Sequence, residues 1–210
     1  MTPEPPAPTP RRKRRYLRWL GVLLLAYFAY AGWKAYDYRA AVEEAKALGW
    51  TVEFGTAFDH IKRDWRAALR METWTQIRRV LEIDGEKGFT GHESLVLRLN
   101  PQSISIYNSP LPLNLSFLKH LADLRILEIQ SFPEITDANM DQIQELTLLR
   151  GLFISDCPRL THLNPLIGLK KLEWLELWYL PLIPKSDIQA FHATHPNTII
   201  RVNHEPVSFP

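Results

Sequence analysis

A single cysteine is the most reactive side chain in this sequence. Cys157 lies in the segment LRGLFISDCPRL, Leu149 to Leu160, beside a proline and within a run of alternating apolar residues. A cysteine is a nucleophile or a metal ligand only where its surroundings lower its pKa, and the sequence gives no sign of such surroundings. With one cysteine the chain forms no internal disulfide, so oxidising and reducing compartments both stay open.

The histidines near the C-terminus are the other candidates for chemistry. His192 and His195 lie three residues apart in HATH, and His204 follows nine residues later. A zinc peptidase needs H-E-x-x-H, with histidines four residues apart and a glutamate base, and neither feature is present. We expect helix-end and cap residues here, with no metal and no cofactor. A hydrolase that depends on His192 or His195 is kept as an alternative.

Acidic pairs and glycine motifs add no further chemistry. Asp137/Asp141 and Glu43/Glu44 have the spacing of charges on a helix surface, and nothing marks them as acid–base dyads. The motifs GxxxxGK, GxSxG and GxGxxG are missing, and nine glycines leave little scope for a phosphate loop. The sequence therefore predicts a protein that is not an enzyme and has no small-molecule substrate.

Charge is distributed unevenly along the 210 residues. Residues 1–18 carry a net charge of +5, and the remaining 192 residues carry 19 basic and 22 acidic side chains, a net charge of −3. A nucleic-acid-binding body would need its basic residues clustered on the folded part, so no nucleic-acid partner is expected. A hydrophobic content of 46% is sufficient for one modest core.

The N-terminus has the pattern of a membrane anchor. Residues 1–15 combine five prolines with the basic run RRKRR, and we expect a disordered arm there. Residues 16–36 form a 21-residue apolar segment, about 31 Å long as a helix, which is enough to cross a hydrocarbon core. The aromatic residues near its ends suit the membrane interfaces. These membrane residues are Tyr16, Trp19, Tyr30, Trp33 and Tyr36.

The orientation and fate of this segment leave alternatives open. The basic cluster predicts a cytoplasmic N-terminus and a body on the exported, periplasmic side. The sequence AYA at Ala29–Ala31 has the spacing of a signal-peptidase site, so cleavage after Ala31 would give a released, exported protein. A buried helix of a soluble protein is the third possibility.

Residues 37–76 are predicted to be a helix–strand–helix connector. The Ala- and Glu-rich stretch YRAAVEEAKALGW reads as a helix that stops at Gly49, and TVEF reads as a short strand. A second helix is expected in DHIKRDWRAALRMETW, with Asp59 as its cap and Ile61, Trp65 and Leu69 on one side.

Residues 77–203 contain an internal repeat. Apolar pairs spaced i, i+2 recur at steps of 23, 23, 25, 23 and 25 residues, and in three units leucines stand three and six places before the pair. The pairs are Leu81/Ile83, Ile104/Ile106, Leu127/Ile129, Leu152/Ile154, Leu175/Leu177 and Ile200/Val202. We interpret each unit as a short strand with inward side chains followed by a helical return, stacked into an α/β solenoid. An ordinary α/β fold would need longer strands and crossover helices.

These motifs resemble the leucine-rich repeat family, whose core is L-x-x-L-x-L-x-x-N/C. Leu149, Leu152, Ile154 and Cys157 match the four marked positions, and SDCPRLTHL resembles the cysteine-containing subclass. Phe132 and Leu180 depart from the pattern at the cysteine position of the neighbouring units. The resemblance implies that Cys157 is an inward-pointing structural thiol.

The whole chain also resembles membrane-anchored repeat proteins of planctomycete-type bacteria. The basic tail, the apolar segment, the ALGW sequence and the following W…L helix carry this looser resemblance. A C-terminal tail, residues 204–210, completes the predicted organisation.

The strand residues between the inward pairs are predicted to face a concave, solvent-exposed surface. Phe153, Trp174 and Trp178 would form an aromatic cluster there, bordered by Glu128, Glu176 and Arg201. Exposed aromatics ringed by charge are typical of interaction hot spots. Alternatively, the C-terminal segment folds over them or they pack against the membrane. The candidate partner-binding residues are Tyr107, Glu128, Gln130, Phe153, Ser155, Trp174, Glu176, Trp178 and Arg201.

The function predicted from these features is protein binding by a membrane-anchored repeat module, through its concave strand face. The family resemblance implies this class of function, and the partner is a protein that the sequence does not identify. Two rivals stay open: a cleaved, exported repeat protein with the same face, and a structural subunit of a membrane complex whose apolar helix makes the contacts.

Overall fold

The computed structural model describes residues 10–54, 79–87, 91–109, 114–203 and 205–207. The chain divides into two compact units, Met1–Ala40 and Ala41–Pro210. The helix predicted within residues 59–74 lies outside the described residues.

The fold is mixed α/β, with one eight-stranded sheet whose strands follow each other in chain order. The six middle strands, β2 to β7, are parallel, and the outer strands β1 and β8 pair antiparallel to their neighbours. The short antiparallel strand β8 lies in the segment predicted as a separate tail. The strands are β1 Thr51–Phe54, β2 Arg79–Asp84, β3 Ser103–Tyr107, β4 Ile126–Gln130, β5 Gly151–Ser155, β6 Trp174–Trp178, β7 Ile199–Val202 and β8 Glu205–Pro206.

The strands predicted from the apolar pairs are confirmed, and they stack without offset. Leu127, Leu152 and Leu175 are register partners in one row of the sheet, and Ile129, Ile154 and Leu177 are partners in a second row. All six side chains are buried, with at most 2% exposed. Successive side chains of a strand point to opposite faces, so every second residue lies on the same face. Each sequence repeat therefore contributes two residues to a continuous apolar core.

The predicted inward position of the spaced leucines is also confirmed, and the turns that carry them are 3₁₀ rather than α-helical. Two of them contain 3₁₀ helices at Ser116–His120 and Asn164–Gly168. The N–H groups of Leu166, Leu169 and Leu172 donate to the carbonyls three residues earlier, at 2.9–3.0 Å. Because a 3₁₀ helix has three residues per turn, leucines at every third position point to one side, and these three are buried.

Among the described residues, three α-helices lie in the other connections of the sheet, and aspartates on two of them bind the loop at residues 161–163. They are α2 at Glu93–Leu99, α3 at Asp137–Asp141 and α4 at Lys185–Thr194. The Asp137 carboxylate accepts hydrogen bonds from Thr161 N–H (2.9 Å), Thr161 Oγ1 (2.5 Å) and His162 N–H (3.1 Å).

Asp187, on helix α4 of the following sequence repeat, contacts the same loop. Its Oδ2 accepts a hydrogen bond from Leu163 N–H (3.3 Å) and lies 3.1 Å from His162 Nδ1. Burial acts to raise the pKa of Asp137, but the hydrogen bonds from Thr161 and His162 outweigh it and lower the pKa. These aspartates therefore join neighbouring sequence repeats through their connecting segments, away from the strands.

Helix α1 spans Pro10–Ala47, and its last residues, 41–47, belong to the second compact unit. Ala41, Ala45 and Trp50 are buried there, and Arg98 pairs with Glu44 at 2.8 Å. Gly49 has a φ of 76°, a left-handed conformation that glycine adopts without steric cost, and the helix stops two residues before it.

The part of α1 in the first unit exposes large apolar side chains. Trp19, Tyr30, Trp33 and Tyr36 are 55–74% exposed. The side chain of Tyr16 is not among those that the structure describes. Within the described residues, no helix has a stretch both long and apolar enough to span a membrane. The membrane-spanning segment predicted at residues 16–36 is therefore not shown by the structure.

The stacked apolar rows predict a steep dependence of stability on single leucines. Leu152→Ala should lower the free energy of unfolding by roughly 2–5 kcal/mol, because the fully buried side chain leaves a cavity. Leu148→Ala is the matched control, since this side chain is 37% exposed, and it should cost about 1 kcal/mol or less. Urea unfolding monitored by circular dichroism measures both values. Equal losses for the two variants would contradict the assigned core.

Candidate functional site

The residues predicted to face away from the core share one face of the sheet. Ser105, Glu128, Phe153, Glu176 and Arg201 are successive register partners in its central row. Tyr107, Gln130, Ser155 and Trp178 form an outer row at the C-terminal ends of β3 to β6. The strand register predicted from the apolar pairs therefore holds along the ladder.

The prediction that the aromatic cluster is exposed is wrong for two of its three members. Trp174 is 0% exposed and Phe153 is 8% exposed, and Glu176 between the tryptophans is 2% exposed. The register is correct, so the error concerns this face of the sheet, which is buried at these positions as well as the core face. Gly151 lies beside Trp174 in the neighbouring strand and presents no side chain that would compete with the indole for space.

A carboxylate joins the two tryptophans. Trp174 Nε1 donates to Glu176 Oε2 at 3.1 Å, and Trp178 Nε1 donates to Glu176 Oε1 at 2.7 Å. The guanidinium of Arg201 lies 5.0 Å from the centre of a Trp174 ring, within cation–π distance. We call these four residues, Trp174, Glu176, Trp178 and Arg201, the tryptophan cluster; within it the Glu176 carboxylate holds the indole of the partly exposed Trp178.

Glu128 is a second carboxylate on this face, and it is hydrogen-bonded to the neighbouring strand. Its Oε2 accepts a hydrogen bond from Ser105 Oγ at 2.8 Å. Burial raises the pKa of Glu128, the hydrogen bond from Ser105 lowers it, and the nearby Glu82 raises it, with a net increase. Ionised Glu128 is therefore disfavoured in the folded protein relative to a solvated glutamate.

The accessible part of the predicted surface is the outer row. Gln130 is exposed, and Tyr107, Ser155 and Trp178 are partly buried, as are Glu128 and Arg201 in the central row. An incoming group would therefore meet polar and aromatic side chains along the outer row, whereas Trp174 and Glu176 of the tryptophan cluster are buried.

No protein-family model matches the sequence, and no curated protein is significantly similar to it. The fold and the chemistry of its residues therefore carry the functional argument.

Cys157 is buried as predicted. Its Sγ lies 3.3 Å from the carbonyl oxygen of Ser155, to which it donates, and the side chain is 0% exposed. Burial raises the pKa of the thiol to about 12, assisted by Asp156 and opposed by a backbone hydrogen bond from Phe132. The thiol is therefore protonated at neutral pH, which removes the thiolate that nucleophilic attack requires.

The two histidines of HATH are placed at the end of α4. His192 is in the last turn of the helix, and His195 is its C-cap residue, with its ring stacked 4.3 Å from that of Phe191. His195 is buried, and burial lowers its pKa, opposed by a hydrogen bond to the Phe191 carbonyl. This placement agrees with the prediction of helix-end and cap residues.

The residues that follow the strands form a feature that the sequence prediction missed. Each of β3 to β7 is followed directly by a residue with φ between 49° and 59°. The N–H groups of Asn108, Ser131 and Asp156 donate to the last carbonyl of the next strand at 3.0–3.1 Å, so these three residues tie their strands to the next. The available signal was asparagine or aspartate at three of the five positions, residue types that are enriched in this conformation. These ledge residues are Asn108, Ser131, Asp156, Tyr179 and Asn203.

The shifted pKa of Glu128 predicts a pH dependence of stability. Its pKa in the folded state lies above the ordinary value of 4.5, so folding binds protons at this group. The carboxylate consequently lowers stability as the pH rises above 4.5 and through the folded-state pKa. Glu128→Gln should raise the melting temperature at neutral pH, and this gain should shrink as the pH falls towards 4.5.

Thermal unfolding followed by circular dichroism across this pH range measures the effect. Glu145→Gln is the control, because Glu145 is exposed and lies 3.8 Å from Lys119. It should not reproduce the gain at neutral pH. A melting temperature of the Glu128→Gln variant at or below that of the wild type at neutral pH would show that ionised Glu128 is not disfavoured.

Proposed function

We propose that this protein is a repeat-type interaction module held at a membrane, and that it binds a partner protein through the outer row of its sheet. The observation that carries the proposal is the ladder itself. Six parallel strands succeed one another in chain order without offset, at the steps of the sequence repeat.

The short connections support a solenoid of the leucine-rich-repeat kind over an ordinary α/β fold. The described helices between β3 and β6 have five residues each, too few for the crossover helices that parallel sheets with two covered faces use. Stacked short repeats create an extended surface on which side chains from successive units lie side by side. Such a surface suits a macromolecular partner.

The outer row has the composition of a binding surface. Trp178 and Tyr107 present partly exposed aromatic rings, and Gln130 and Ser155 between them supply amide and hydroxyl groups. The hydrogen bond from Trp178 to Glu176 fixes the indole before any partner arrives, which reduces the entropy lost on binding. We assign Trp174, Glu176 and Arg201 a role in positioning this row, and Glu128 and Phe153 a supporting one.

The exposed apolar side chains of α1 support a lipid environment for the first unit. Val22, Leu23, Leu24 and Leu25 are consecutive and 49–72% exposed. Because consecutive helical residues are rotated by about 100°, these four side chains point in four directions. A protein partner would need one apolar stripe, whereas lipid contacts a helix on all sides. The basic run at residues 11–15 favours a cytoplasmic N-terminus, with the sheet on the exported side.

Site-specific photo-crosslinking tests the binding surface. A benzophenone amino acid at Gln130 should give an adduct of higher mass in intact cells, because the outer row contacts the partner. The same probe at exposed Glu145, away from the sheet face, should give none. Ser155→Arg, which places a bulky charge beside Gln130 in the row, should reduce the adduct while leaving the melting temperature within a few degrees of the wild type.

An adduct of equal yield from Glu145 would contradict the outer-row proposal, as would its absence from Gln130. Replacing residues 16–36 with an unrelated membrane helix separates the structural-subunit alternative. The adduct from Gln130 should survive this exchange if the sheet surface binds the partner, and it should disappear if the apolar helix makes the contacts.

Membrane attachment predicts the behaviour of the chain in cell fractionation. The full-length protein should stay in the membrane pellet after an alkaline carbonate wash, because its exposed apolar helix partitions into lipid. Leu23→Lys combined with Leu25→Lys should shift it to the supernatant, since two charges in the apolar segment are costly to bury in a bilayer. A mature N-terminus at Gly32 together with release of the wild type would instead establish the cleaved, exported form.

A further inference from the structure

A cavity at the C-terminal ends of β5, β6 and β7 is separate from the outer row. Its volume is about 440 Å³, within the range of roughly 300–1,000 Å³ that ligand sites occupy, and it is open to solvent. Two prolines and a leucine supply apolar walls, and a carboxylate, an amide and a phenol supply polar groups. The lining residues are Asp156, Pro158, Tyr179, Leu180, Pro181 and Asn203.

Three of the lining residues belong to the ledge, and their backbones are held by hydrogen bonds. Asp156, Tyr179 and Asn203 have φ values of 52°, 50° and 49°. The N–H of Tyr179 donates to Asn203 Oδ1 at 2.9 Å, and the N–H of Asn203 donates to the Leu177 carbonyl at 3.0 Å. The side chains at the cavity are therefore attached to fixed backbone positions, and the Asn203 amide oxygen is already engaged.

Tyr179 is in an unfavourable conformation for its residue type. The other described non-glycine residues with positive φ carry asparagine, serine or aspartate side chains, which tolerate the left-handed region. A bulky aromatic residue is disfavoured there, yet the Tyr179 side chain is 66% exposed and is not needed for the core. A strained residue that lies at a cavity and leaves the core unchanged is a candidate for function.

The side chains that line the cavity indicate which class of ligand would fit it. The exposed ring of Tyr179 and the proline and leucine side chains offer an apolar surface to the C–H groups of a flat ring. The Asp156 carboxylate accepts hydrogen bonds and disfavours anions, and the Asn203 amide nitrogen donates. A hydroxyl group both donates and accepts, so neighbouring hydroxyls on one ring match this pair.

We propose that the cavity binds a neutral carbohydrate, with the C–H face of one pyranose ring stacked on Tyr179 and its hydroxyls bound by Asp156 and Asn203. The site uses residues outside the outer row, so it goes beyond the protein-binding function and either one can fail without the other.

Saturation-transfer NMR on the full chain tests this site in a detergent without a sugar headgroup. The probes are glucose, galactose, mannose, N-acetylglucosamine, cellobiose and chitobiose, added one at a time. At least one should receive saturation at its ring C–H protons. Tyr179→Phe keeps the ring and should keep the signal, whereas Asp156→Ser should weaken binding roughly tenfold through the lost charged hydrogen bond.

Tyr179→Asn separates a binding role from a structural one. Asparagine occupies the equivalent ledge positions 108 and 203, so this variant should unfold at a higher temperature than the wild type while losing the sugar signal. Asn108→Gly, at the same structural position after β3, is the control and should leave the sugar signal unchanged.

Three results would overturn the proposal. The first is the absence of saturation transfer to every sugar in the set. The second is a lower melting temperature for Tyr179→Asn, which would make the ring a structural element. The third is stronger saturation of a hexaproline peptide than of any sugar, which would make the cavity a peptide groove.

Discussion

Each of the six parallel strands contributes two side chains to the same pair of apolar rows, and no unit buries its own pair alone. Leu152 is covered by its register partners Leu127 and Leu175 on the two adjacent strands. This mutual burial requires every unit to return to the same position after 23 to 25 residues. A residue inserted within a strand would move the pair to the opposite face, because side chains alternate with a period of two.

The return path is constrained by the same requirement. Leucines at three-residue intervals fill the space behind the strands only if the connecting turns have three residues per turn, and the backbone hydrogen bonds of Leu166, Leu169 and Leu172 have that spacing. At the other end of the strands, ledge residues with positive φ turn the chain out of the sheet, and three of them, Asn108, Ser131 and Asp156, donate to the next strand. Ion pairs join the units where the strands begin, as between Arg150 and Glu173 at 2.9 Å.

Burial on the second face of the sheet changes how its polar residues behave. A carboxylate that leaves water must be compensated by hydrogen bonds or lose its charge. Glu176 is compensated by two indole N–H groups, and Glu128 is compensated in part by Ser105 while its pKa rises. The same face thus has a buried part around Trp174 and an accessible outer row, and the proposed partner and carbohydrate sites lie at different places along its C-terminal margin.

The sequence alone determined the features that repeat locally. The apolar pairs gave the strand positions and the leucine spacing gave the inward side of the returns, because each depends on a few neighbouring residues with a fixed period. The burial of Cys157 was implied by the resemblance to the leucine-rich repeat family. Only the tertiary structure decided that Trp174 is buried, that Glu128 pairs with Ser105, that Glu205–Pro206 joins the sheet, and that Tyr179 adopts a positive φ beside a cavity. These outcomes depend on which residues from other units lie beside each side chain, and a period read along one chain does not contain that information.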